Sequence, residues 1–224
     1  FKRRFRNAQG IKPHCDPIGR QTAAFLIRDN IRHRNDILHA YLDAIDGATD
    51  EVLIANAYFL PGIRFGRALY AAARRGVRIT VLLQGKTDHH LLHYATQTLY
   101  ATALKAGIRI FEYEKSFMHA KVAVIDGEWA TVGSSNIDPF SLLLAKEANI
   151  VVRDHAFGSE LRSSLKEAIR DGARELLPAD LSRLPWHSRL LRWLAYGVAV
   201  AGEAKVASRR TIAACRPSSP VTAT

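Results

Sequence analysis

Residues 119 to 136 read HAKVAVIDGEWATVGSSN. HAKVAVI (119–125) and EWATVG (128–133) are two strand-like runs, and the Asp126-Gly127 pair between them favours a tight two-residue turn, so the stretch is expected to fold as a β-hairpin. Upstream, strand and helix patterns alternate. TAAFLIRD (22–29) reads as a strand, and a helix follows from about Ile31 to Asp46 with Ile37, Leu38, Tyr41, Leu42 and Ile45 at helical spacing. EVLIANAYF (51–59), VRITVLL (77–83) and IRIFEY (108–113) are further strands, separated by helices over 65–75 and about 88–106. This βαβαβ alternation implies parallel strands joined by helical crossovers. Downstream of the hairpin, EANIVVR (147–153) is another strand, and Asp154 to about Glu175 a terminal helix. The expected fold is therefore α/β, a mixed sheet sandwiched by helices.

The hairpin also carries chemistry. His119, Lys121, Asp126, Gly133, Ser134 and Asn136 form the pattern H-x-K-x4-D-x6-G-S-x-N. Two residues apart on a strand, His119 and Lys121 share a face, while Ala120, Val122 and Val124 point the other way into core. The returning strand brings Gly133, Ser134 and Asn136 beside them. An imidazole, an ammonium, a hydroxyl and an amide in one pocket suit a phosphate diester: neutral imidazole can attack phosphorus, Lys121 can offset the charge on the equatorial oxygens, and Ser134 and Asn136 can donate to those oxygens. Asp126 is explained by the turn alone, with anchoring of a lysine as a second role. Glu147 opens the next strand; it either accepts the Nδ1 proton of His119, leaving Nε2 as nucleophile, or is an exposed strand-end carboxylate.

HAKVAVIDGEWATVGSSNIDP with Glu147 resembles the HKD motif of the phospholipase D superfamily, and the chain is similar within it to the C-terminal half of bacterial B-type cardiolipin synthases. RDNIRHRNDI (28–37), IANAYFLPG (54–62), RALYAAARRGVRITVLLQGK (67–86), HYATQTLYATALKAGIRIFEY (93–113) and SSNIDPFSLLLAKEANIVVRDHAF (134–157) extend the likeness over most of residues 22–170. The resemblance implies transfer through a phosphohistidine. One HKD histidine attacks the phosphodiester, and a second protonates the leaving alcohol and then deprotonates the incoming one. By matching positions it makes His119 catalytic, has Lys121, Ser134 and Asn136 hold phosphate, and has Glu147 orient His119. It implies no metal and no cofactor. It also implies that two phosphatidylglycerol molecules give cardiolipin and glycerol, at the cytoplasmic face of the bacterial inner membrane with peripheral attachment. The chain has one motif where the mechanism needs two, so the second half is expected from a missing N-terminal region or from a homodimer. Two rival readings are a homodimeric phosphodiesterase or nuclease and a membrane-binding remnant without activity.

Charge places the partners. The 224 residues carry a net +11, divided as +7 over residues 1–34, −2 over 35–182 and +6 over 183–224. A near-neutral centre with basic ends suits an anionic phospholipid surface and argues against a nucleic-acid groove across the domain; ends that are simply solvated fit the same division. Cys15 and Cys215 have no partner spacing for a disulfide framework or a structural zinc site, and FKRRFRNAQG is a basic start with no apolar signal core, expected of a fragment. Four segments follow: a basic N-terminal stretch (1–20), the catalytic domain (21–177), an amphipathic or apolar segment (178–204) and a basic disordered tail (205–224). The apolar run Trp193–Gly202 is about half the roughly 20 residues that a spanning helix needs, which leaves interfacial binding or packing on protein. Tyr58 and Gln84, at strand ends, are expected to line the substrate cleft. His89, His90 and His93 lack a third metal ligand and read as a solvated helix start.

Overall fold

The computed structural model describes residues 19–86, 90–138, 141, 142 and 144–182. Its centre is one eight-stranded sheet in the order β1-β7-β6-β5-β2-β3-β4-β8. The strands are β1 (Thr22–Arg28), β2 (Glu51–Asn56), β3 (Arg78–Gln84), β4 (Arg109–Tyr113), β5 (Lys121–Ile125), β6 (Trp129–Gly133), β7 (Glu147–Arg153) and β8 (Ala173–Glu175). The helices are α1 (Asp36–Gly47), α2 (Ile63–Arg74), α3 (His90–Lys105), α4 (His155–Gly172) and α5 (Pro178–Ser182). The basic N-terminal stretch through residue 18, the apolar run after 182 and the basic tail lie outside the described residues, as does His89.

β2, β3 and β4 are parallel, as the alternation of strand and helix requires. All six residues of β2 are buried because helices cover both faces of the sheet there. Val52 and Ile54 join Ile37, Tyr41, Ile45, Phe65 and Leu69 under the α1–α3 layer, whereas Leu53 and Ala55 join Leu82, Phe111, Val124, Ala130 and Leu165 under α4. Tyr41 anchors the larger core, edge-on to Trp129 with ring centroids 5.7 Å apart.

β1 stands outside the parallel set and pairs antiparallel with β7, Phe25 opposite Ile150. Two sequence expectations need correction. The first helix begins at Asp36, five residues later than expected, because the Asp29 carboxylate accepts the amides of Ile31, Arg32 and His33 and holds that stretch in a turn. The terminal helix stops at Gly172, and Ala173–Glu175 pairs antiparallel with β4, where Arg109 bonds Glu175 at 2.7 Å.

Candidate active site

Open α/β sheets bind ligands beyond the carboxyl ends of their parallel strands, and His119, Lys121, Ser134 and Asn136 lie there. β5 runs antiparallel to β2, so its first residue, Lys121, faces the last residue of β2, Asn56. The ladder continues one step further, Ala57 N–H to the Ala120 carbonyl at 2.9 Å, which holds His119 at the mouth of the sheet. His119 is exposed and Lys121 is buried, its ammonium 3.4 Å from the His119 carbonyl oxygen. Burial pushes the Lys121 ammonium below the usual lysine value, while the carboxylates of Glu147 and Asp138 pull it back up.

The loop that leaves β6 is fixed from several sides. Ser134 donates through Oγ to the Glu147 carboxylate and accepts the Ala148 amide at 3.1 Å. Glu147 therefore anchors Ser134, and His119 and Glu147 form no hydrogen bond with each other; the expected His119–Glu147 pairing is replaced by a serine–carboxylate pair. The reason is register: Gly133 pairs with Asn149, which sets Ser134 opposite Ala148 and next to Glu147. Ile137 N–H donates to Asn56 Oδ1 at 3.2 Å, and Leu60 N–H to the Ile137 carbonyl at 2.8 Å. Asp138, also buried, takes the Ser141 amide at 2.9 Å and hydroxyl at 3.1 Å. Asn136 thus sits on a clamped loop, its buried Oδ1 without a partner among the described residues.

Gly133 is required by its surroundings. A Cβ there would lie 2.2 Å from Asn149 Oδ1 and 2.5 Å from the Ala148 carbonyl, so no other residue lets β6 approach β7 this closely.

Asp126 does not join this cluster. It lies at the opposite end of β5, about 16 Å of extended chain from Lys121 at roughly 3.3 Å per residue. Its carboxylate accepts from the amides of Thr49, Asp50 and Glu51 and from the Thr49 hydroxyl, at 2.8 to 3.1 Å, and among the described residues it pairs with no lysine. Asp126 and Gly127 both have positive φ, 52° and 68°, and Glu128 N–H closes the turn on the Ile125 carbonyl at 3.1 Å. Pairing resumes at Ile125–Trp129, which leaves Glu128 as a bulge.

Tyr58 and Gln84 line one crevice with Leu83, Thr96 and Tyr100. Gln84 also braces the segment before β5, accepting the Met118 amide and donating to the Lys86 carbonyl. The side chains of His90 and His93 are not among those described.

Three further residues shape the site and are not singled out by the sequence pattern. Asn56 holds the loop after Asn136. Asn149 spans Thr131 Oγ1 at 3.1 Å and the Ser135 amide at 3.4 Å. Arg28 is a buried guanidinium opposite Glu147 in the β1–β7 ladder, donating to the Ala145 carbonyl. Each is a polar residue inside or ending an apolar strand run, which is the one signal that points to them.

A mixed sheet that places histidine, buried lysine, serine and asparagine at the mouth of its central strands is the architecture of phospholipase D-like domains. Residues 41–169 match the family described as "Cardiolipin synthase, PLD-like domain", and the chain belongs to that family. It is 45% identical over 159 residues to cardiolipin synthase B of Escherichia coli (strain K12), covering 71% of this chain and 38% of that protein. Cardiolipin synthase A of Pseudomonas entomophila is 35% identical over 140 residues, 62% of this chain and 29% of that one. The chain thus spans well under half the length of these curated relatives. Among solved structures, the phospholipase D family member Nuc of Salmonella typhimurium has a TM-score of 0.59 at 18% identity, covering 70% of this chain and 99% of that one. Phosphatidylserine synthase of Haemophilus influenzae has a TM-score of 0.63 at 12% identity, covering 83% and 47%. Both share the fold.

Proposed function

We propose that the chain is the C-terminal catalytic half of a phosphatidyltransferase that joins two phosphatidylglycerol molecules into cardiolipin and releases glycerol. The observation that carries this is the buried Lys121, exposed His119 and Ser134 and half-buried Asn136 gathered at the strand ends, in a chain 45% identical to cardiolipin synthase B over 159 residues. In the first step a histidine nitrogen attacks phosphorus, the bond from phosphorus to the glycerol oxygen breaks, and the second histidine gives that oxygen its proton. In the second step the hydroxyl of another phosphatidylglycerol attacks the phosphohistidine, its proton returns to the second histidine, and the nitrogen–phosphorus bond breaks. His119 is one of this pair, and the other comes from a second phospholipase D-like half.

Within this scheme Lys121 and Asn136 face the phosphoryl oxygens, Ser134 is held toward them by Glu147, and Asp126 maintains the hairpin. Glu147 acts through Ser134 and through its charge on Lys121. The basic ends suit attachment to the anionic cytoplasmic leaflet. Among the described residues no helix is long and apolar enough to cross a membrane.

The test is conversion of phosphatidylglycerol vesicles by this chain paired with a second phospholipase D-like half, followed by mass spectrometry of the lipids. His119→Ala should abolish cardiolipin formation with an unchanged melting temperature. Cardiolipin formed at the parent rate by that variant refutes the assignment.

A further inference from the structure

The three most exposed large apolar side chains among the described residues are Ile31, Ile63 and Phe117, at 83%, 74% and 71%. All three stand in segments that join elements at the catalytic end of the sheet. Phe117 lies between β4 and β5, two residues before His119. Ile31 comes three residues after Arg28, which ends β1 opposite Glu147. Ile63 opens α2, directly after the stretch in which Phe59 bridges Ile137 and Leu60 donates to the Ile137 carbonyl, next to Asn136. β1 and β2 are four strand spacings apart, about 19 Å at roughly 4.8 Å per strand, so the tips are spread across the mouth of the site. Single exposed apolar residues are ordinary on a protein surface, but the three largest exposures gathered at one end call for a cause.

Charge selects the occupant. Exposed cations flank each tip: Arg32 and Arg34 follow Ile31, Arg64 and Arg67 follow Ile63, and Lys115 precedes Phe117. The carboxylates of the same segments are turned to internal partners. Asp29 takes the amides of residues 31 to 33, Asp36 bonds His33 Nδ1 at 2.7 Å, and Glu114 pairs with Arg174 at 3.1 Å. A protein partner is met by a contiguous apolar patch, whereas separate apolar tips among arginine and lysine fit a surface that is anionic at the headgroups and apolar beneath. We propose that Ile31, Ile63 and Phe117 insert into an anionic bilayer while the neighbouring cations bind its phosphates, so that the catalytic mouth faces the headgroup layer. A phosphodiester then reaches His119 without leaving that layer. The proposal rests on the lipid substrate proposed above, and it assigns the membrane contact to the domain itself, apart from the basic ends.

The test uses the full 224-residue chain carrying Cys15→Ser and Cys215→Ser, with an environment-sensitive fluorophore on one new thiol: Ile31→Cys, Ile63→Cys, Phe117→Cys or Leu177→Cys. Leu177, 54% exposed, is the control; it follows Leu176, whose amide bonds the Ile110 carbonyl at the far end of β4. On phosphatidylglycerol vesicles the labels at 31, 63 and 117 should shift to the blue and be quenched by nitroxides on the acyl chains, and the label at 177 should do neither. Ile63→Ser and Phe117→Ser, which change no charge, should each weaken vesicle binding about tenfold with the melting temperature unchanged, and Leu177→Ser should not. Vesicle-bound protein whose labels at 63 and 117 stay in water overturns the proposal, as do serine variants that bind like the parent. A blue shift produced by a second phospholipase D-like half without lipid overturns it in favour of a protein contact. Insertion with no cardiolipin formed, once a second half is supplied, refutes the proposed function and leaves the inserted rim standing. Cardiolipin formed from detergent-dispersed phosphatidylglycerol by a chain whose labels stay in water on vesicles does the reverse.

Discussion

Lys121 is held in tension between burial, which disfavours its charge, and two carboxylates that favour it. The sign of its pH dependence follows. Phosphate needs the ammonium, so turnover should fall as pH rises through a lysine value lower than the ordinary 10.5. Lys121→Arg, whose charge persists, should remove that alkaline limb from the kcat/KM profile, and Lys121→Ala should lower kcat about 10²- to 10³-fold, the scale of deleting one oxyanion donor. Asp126 shows the opposite case. Partial burial raises its pKa, but the amides of Glu51, Thr49 and Asp50 outweigh that and hold it below its ordinary value. Its stabilisation is therefore complete above the ordinary carboxylate range and lost as pH falls through the lowered value. Asp126→Ala should cost about 2 kcal/mol at pH 7 by chemical denaturation, with the difference shrinking in acid, because several donors lose one charged acceptor. Asp126→Asn, which tolerates the positive φ, should cost less. The HKD residues were legible as a set because each is a distinctive side chain at a fixed offset. Asn56, Asn149 and Arg28 were not, because their partners are supplied by strands remote in sequence.

At the scale of elements, the turn that Asp126 anchors is also the seat of α4. A Cβ on Gly158 would stand 2.3 Å from the Gly127 carbonyl oxygen, a backbone atom that cannot step aside. Gly158→Ala should therefore destabilise the domain by about 1 to 3 kcal/mol through overpacking, read as a lower denaturation midpoint with unchanged slope. The helix itself was expected from Asp154 onward, and Asp154 is its cap, the carboxylate taking the Phe157 amide at 2.8 Å. The strands β2, β3 and β4 were legible for a similar reason: buried on both faces, they read as apolar runs set between helices. β1 was legible as a strand but not as the neighbour of β7, since side-chain alternation reports which faces are buried and says nothing about which strand lies alongside. β8, three residues long, has too little periodicity to be seen; it exists through its pairing with β4 and the Arg109–Glu175 pair.

The whole molecule adds what no segment contains. Its charge is divided between a near-neutral middle and two basic ends, so binding of the full chain to phosphatidylglycerol vesicles should weaken steadily as salt rises, whereas zwitterionic vesicles should bind little at any salt. Replacing Arg189 and Arg192 by Glu should reduce vesicle affinity in a flotation assay while leaving the melting temperature of the domain unchanged. Overall charge was readable from composition alone; the exposed apolar row of Phe25, Ile150 and Val132 was not, because it arises only when β1, β7 and β6 are brought into register.

The order of the strands also has a mechanical consequence. The first described strand and the last form opposite margins of the sheet, about 34 Å apart at roughly 4.8 Å per strand. A pull applied to the two ends of the domain therefore acts across the strands and peels hydrogen bonds from the margins one at a time, instead of shearing a whole ladder at once. Under tension such a domain should yield at low force, margins first, with the central β5-β2-β3 strands the last to part.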